Sequence, residues 1–149
     1  MSAPPEPADR AARARRYVLD HHADTTETVL ACADAVAETW DGEASNRPTT
    51  TDPEAVAHPL RAELEAAGAW ERLPDVLAGA VRAADCTLSA PPVADPPYVA
   101  ATSRGPMLRA TLPEGRLVVL VAAFAVERDP TRYVRRATTP AAAVTATFK

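Results

Sequence analysis

Hydrophobic positions first recur at steps of three and four. Val18, His22, Thr25, Val29, Cys32, Val36 and Trp40 form such a series, which predicts one buried stripe along a helix. A continuous helix from about Ala8 to Gly42 would hold roughly 30 residues and reach roughly 45 Å. That exceeds the diameter of a chain this size, so the helix is expected either to break or to project toward a partner. Asp24 followed by Glu27 resembles a capping box and marks the place for a restart. Residues 42–52 read as a polar loop. Asp52 and Pro53 then fit an N-cap and first helical position. A short helix interrupted at Pro59 follows, with Leu60, Leu64 and Ala67 facing inward and Gly68 ending it. A third helix is expected over Trp70–Ala84, with Pro74 in its first turn.

Beyond Asp85 the period changes from 3.6 to two. Pro91-Pro92 and Pro96-Pro97 delimit an extended linker. Strands are expected at Tyr98–Ser103, Met107–Leu112, Leu117–Glu127 and Arg132–Ala137, with Val144–Phe148 as a candidate last strand. Hairpin turns at Arg104-Gly105 and Pro113–Gly115 would set Ala101 opposite Leu108, Val99 opposite Ala110, Leu108 opposite Leu120 and Ala110 opposite Val118. That register places Leu112, Val118, Leu120 and Phe124 on the core face. Tyr98, Arg109, Val119 and Val121 then fall on the other face. The expected fold is α+β, with N-terminal helices packed on one face of a four- to five-stranded antiparallel meander. Residues 1–8 are read as a disordered N-terminus. Residues 9–149 are read as one domain, with a helical half at 9–85 and a sheet half at 86–149.

Length and composition agree with a single domain. The 149 residues are 47% hydrophobic and 24% charged, enough to bury a core. No apolar run approaches the ~20 residues of a membrane span. The N-terminus shows no basic-then-apolar leader, so a cytoplasmic setting without membrane contact is expected. Cys32 and Cys86 are too few for a disulfide framework and lack the spacing of a metal site. Charge is unevenly divided. Residues 1–85 carry eight arginines against sixteen acids; residues 86–149 carry seven arginines and Lys149 against four acids. Such asymmetry marks either an interaction surface or two halves that attract each other.

A resemblance adds to this reading. The run Tyr98-Val99-Ala100-Ala101-Thr102-Ser103-Arg104-Gly105-Pro106, continued by Glu127-Arg128-Asp129-Pro130 and Arg132-Tyr133-Val134-Arg135, resembles the C-terminal part of small haloarchaeal proteins of unknown function. The helical half, with Ala33–Ala37, is similar in style. The resemblance implies a single cytoplasmic domain and carries no activity, cofactor or site residue. Fifteen arginines against one lysine are in keeping with a salt-adapted, GC-rich source.

Candidate chemistry is sparse. His21 and His22 point about 100° apart on a helix, so with His58 they make a poor ligand set for a metal. Cys32 belongs to the buried stripe, and Cys86 has no base fixed beside it. Glu63 and Glu65 point to different sides of their helix and read as a solvated face. No nucleophile elbow, phosphate loop or nucleotide fingerprint occurs. No catalytic, cofactor or metal residues are assigned. Arginines in the sheet half are the remaining candidates. Arg104, Arg109, Arg132 and Arg135, with Tyr98 and Tyr133, combine bidentate anion donors with aromatic stacking surfaces. The preferred reading is a non-catalytic domain acting through protein contacts or as a homodimer. The alternative is anion or nucleic-acid binding through those arginines.

Overall fold

The computed structural model describes residues 3–149 and is α+β, with five helices and two four-stranded antiparallel sheets. Helix α1 spans Pro7–His21 and α2 spans Ala23–Ala37. The long helical pattern therefore breaks, at His22, whose φ of -130° and ψ of 29° leave the helical region. The break falls two residues ahead of Asp24, and no side chain caps the restart, so Asp24 and Glu27 do not form the expected box. The chain becomes helical at Pro7, inside the stretch 1–8 read as disordered, of which residues 1–2 lie outside the described residues.

Residues 42–52 do not form a loop. Strands β1 (Gly42–Ala44) and β2 (Arg47–Thr50) make a hairpin there. Ser45 and Asn46 turn it, with φ of 52° and 62°. Two successive residues in the left-handed region are what a tight hairpin twist requires. Asp52 caps a short 3-10 turn, Pro53–Ala55, by accepting from the Glu54 N–H at 2.9 Å. Helix α3 (Ala57–Ala66) then buries Leu60 and Leu64, while Ala67 stays exposed. Helix α4 (Leu73–Ala83) carries Pro74 in its first turn and buries Leu73, Val76, Leu77, Ala80 and Val81.

The remaining strands are β3 (Val99–Ala101), β4 (Pro106–Leu112), β5 (Gly115–Val121), β6 (Phe124–Glu127), β7 (Arg132–Arg135) and β8 (Val144–Phe148), with the short helix α5 (Pro140–Ala143) before the last. They do not join into one meander. One sheet has the order β3-β4-β5-β8; the other has the order β1-β2-β7-β6. The chain leaves the first sheet at Val121–Phe124. Gly105 lies against that bend with φ of 144°, and a Cβ there would stand 1.8 Å from the Val121 carbonyl oxygen. Only glycine fits so close an approach.

The register also differs from the one read from the turns. Leu108 lies opposite Val99 and Val119, and Ala110 lies opposite Leu117. Pro113-Glu114 forms a two-residue connection between the paired Leu112 and Gly115, which shifts β5 by one residue. A one-residue shift exchanges the faces. Leu117, Val119 and Val121 point into the core, while Val118 and Leu120 lie on the partly exposed face with Met107 and Arg109. The inward face packs on α1 and α4, and both sheets share one hydrophobic core with the helices. Trp40 joins that core against Phe124, with ring centroids 5.2 Å apart, and its indole N–H reaches the Ala55 carbonyl at 3.0 Å.

Candidate anion-binding site

Several arginines of this fold are engaged by the chain's own carbonyl and carboxylate groups, and geometry separates them from those left open. Some guanidinium groups are spent on the ends of helices and strands. Arg10 is 6% exposed; its Nη1 donates to the carbonyls of Ala84 and Asp85, at 2.8 and 2.9 Å. It thereby satisfies the carbonyl end of α4 and places a cation at the negative end of that helix. Arg15 does the same beside α5, donating to the Val144 and Ala141 carbonyls at 2.9 and 2.6 Å. Arg135 is 7% exposed and donates to the carbonyls of Leu30, Ala123 and Ala137 and to Asp34 Oδ1 at 2.9 Å. It joins β7 to α2 from within, with four of its five N–H donors engaged, so this sequence candidate is buried and committed to the core rather than presented to a ligand.

The other candidates scatter. Tyr98 and Arg109 are neighbours across β3 and β4, where the Arg109 N–H donates to the Tyr98 carbonyl at 2.8 Å. They lie on the outer face of the first sheet. Arg132 is held by Glu127, with Nε donating to Oε1 at 2.6 Å. Arg136 donates to Oε2 of the same carboxylate at 2.8 Å. The hydrogen bond from Arg132 is the main reason the Glu127 carboxyl titrates below its ordinary range, with the positive charges of Arg132 and Arg136 adding to it.

Arg104 and Tyr133 do come together. A cleft of about 510 Å³ lies between the β3–β4 turn and strand β6, lined by Ser103, Arg104, Val126, Arg128, Thr131 and Tyr133. A second cleft of about 440 Å³ adjoins it and is lined by Arg47, Arg104, Arg136 and Thr138 among others. Arg104 and Ala125 border both, so the two are one continuous groove. Among the described residues, four arginines line it and no acid does. Glu127 offsets Arg136 from outside. Arg47 donates to the Arg136 carbonyl at 2.6 Å. Among the described residues, the guanidinium groups of Arg104 and Arg128 meet no hydrogen-bond acceptor and no carboxylate. Both side chains are exposed. Two free, always-charged forks beside hydroxyl groups suit phosphate or carboxylate oxygens. Arg47 escaped the sequence reading because its segment read as a loop.

The titratable groups elsewhere are less organised for chemistry. Burial pushes the Cys32 and Cys86 thiols up from their ordinary values. Arg10 Nη1 lies 3.0 Å from the Cys86 sulfur and opposes that shift without cancelling it. His21 and His58 are exposed on separate helices. Among the described residues, no three His, Cys, Asp or Glu side chains converge on a common point suited to a metal. Among the same residues, no helix is long and apolar enough to cross a membrane.

No curated protein and no solved structure matched the chain. Residues 12–149 match the model of a family described as a domain of unknown function, DUF7988, and with nearly all of its length inside that match the chain belongs to this family.

Proposed function

We propose that this chain is a non-catalytic contact domain that grips anionic groups of a partner in the arginine-lined groove beside β6. One observation carries the reading: Arg104 and Arg128 stand free in a groove whose described lining holds no acid, while Arg10, Arg15 and Arg135 are occupied by carbonyl groups. Other exposed arginines, such as Arg13, Arg72 and Arg116, also lack a partner among the described residues; what sets Arg104 and Arg128 apart is a shared groove without a lining acid, where an anion from outside would neutralise them. The lysine-poor composition supports a salt-adapted, haloarchaeal and cytoplasmic setting as part of the same proposal. In such a setting screening weakens exposed ion pairs, so a ligand held there needs contacts beyond charge. Calorimetric titration with pyrophosphate at low salt tests the reading. Wild type should bind, and Arg104→Ala with Arg128→Ala should abolish binding at unchanged stability. Equal binding by the double variant would refute the site.

A second reading concerns the outer face of the first sheet. Met107, Val118 and Leu120 form a partly exposed apolar strip there. That strip favours self-association through this face. Light scattering of wild type and Leu120→Glu tests it: a dimer that the variant dissociates supports it, and a monomeric wild type removes it.

A further inference from the structure

We propose that the ligand of the groove is an extended acidic peptide segment that adds as a further strand to the open edge of β6. The inference rests on the anion-binding reading and names its ligand. Strand β6 ends its sheet, with β7 on one side and, among the described residues, no strand on the other. The Phe124 N–H points away from β7, because it donates to the Arg104 carbonyl at 3.0 Å. In an antiparallel ladder, residues alternate between facing the partner strand and facing away. Ala125 therefore pairs with Val134 of β7, and the N–H and C=O of Val126 point out of the sheet with the C=O of Phe124. Val126 lines the groove.

This edge presents acceptors as well as a donor. A phosphate held by the arginines would reach the Val126 N–H at most and would leave the outward carbonyl oxygens of the edge without a donor. A peptide strand satisfies both kinds, since its own N–H and C=O groups alternate in the same way. The charges sit at the two ends of the edge. Arg104 bonds the first residue of β6 through its carbonyl, and Arg128 follows the last. Phe124 and Arg128 are four steps apart, roughly 13 Å at strand rise. Acidic side chains four positions apart on an extended segment share one face and match that span.

The test uses a labelled peptide with glutamates four positions apart and Val and Thr between them, followed by fluorescence anisotropy. Two controls separate backbone pairing from charge. One is the same peptide N-methylated at its central residues. The other is Val126→Pro, which removes the outward N–H while leaving the β6–β7 ladder its bonds, as proline on an edge strand does. Binding should fall at least about tenfold with either control, as expected when a buried donor or acceptor loses its partner. It should also vanish in Arg104→Ala. Equal binding of the N-methylated peptide would overturn the strand-addition inference and leave the anion reading in place. So would Arg104-dependent binding of single-stranded DNA together with no binding of the peptide. If pyrophosphate, DNA and peptide all fail to bind, both are wrong.

Discussion

The reversed face of β5 can be tested with two leucines of the same strand. Leu117 is fully buried and lies between Ala110 and Phe148 in the ladder. Leu120 lies on the opposite face between Met107 and Thr145, partly exposed. Truncating either to alanine removes three carbons. At about 0.8 kcal/mol per buried carbon, transfer alone costs about 2.4 kcal/mol for Leu117→Ala. The cavity left in a closed core raises this to about 3–4 kcal/mol. Leu120→Ala leaves no closed cavity, because solvent and the flexible Met107 fill the space, so its loss should be about 1 kcal/mol or less. The assay is urea denaturation followed by circular dichroism, with the midpoint read at unchanged slope. The difference between the variants should be roughly 2 kcal/mol. Equal losses, or a larger loss for Leu120→Ala, would show that β5 pairs as the turn residues alone suggest.

Other consequences follow from the buried cations and the histidine at the helix break. Arg135→Leu should cost about 3 kcal/mol or more, since it strips the donor from three carbonyls, each worth about 1–3 kcal/mol when orphaned. Asp34→Asn should cost under about 1 kcal/mol, because Asp34 is 63% exposed; a reversed order in denaturation would mean that the ion pair, not the carbonyls, holds β7 to α2. Burial first, and the charge of His21 second, lower the His22 pKa, while Asp75 opposes them. The unfolded chain therefore takes up a proton there before the folded one does. Stability should be full above about pH 6.5 and fall as the pH drops through that value, levelling off below the folded pKa. His22→Gln should flatten that slope, and an unchanged slope would contradict the assignment. Cys32 and Cys86 should resist alkylation at neutral pH until the chain unfolds, because both are buried with raised pKa values; rapid modification of folded protein would refute this.

Helices were legible in the sequence because their cues are local. Asp52-Pro53, Pro74 and Gly68 mark turns that short-range sterics decide. The change of period after Asp85 likewise located β4, β5 and β8. The sheets were less legible because their pairing is not local. β2 pairs with β7 across more than eighty residues, and nothing near Arg47 or Tyr133 records that partnership. Ser45-Asn46 carries no glycine, so the first hairpin passed as a loop. The β5 register turned on whether the Pro113–Gly115 turn spans two or three residues, and alternating apolar side chains on both faces of Leu117–Val121 could not choose. The candidate site shows the same division. Tyr98, Arg104, Arg109, Arg132, Arg135 and Tyr133 were recognisable as a class, but an arginine that caps carbonyls and one that waits for an anion have the same letter. Only the structure sets Arg135 in the core and leaves Arg104 and Arg128 free beside the edge of β6.

The central claim is that these two guanidinium groups are reserved for an anion. The most direct measurement is a nuclear magnetic resonance titration of the arginine side-chain N–H signals with pyrophosphate at low salt. Saturable shifts are expected at Arg104 and Arg128, smaller ones at Arg47 and Arg136, and none at Arg10, Arg109 or Arg135. Uniform small shifts across all arginines, or none at Arg104 and Arg128, would contradict the claim.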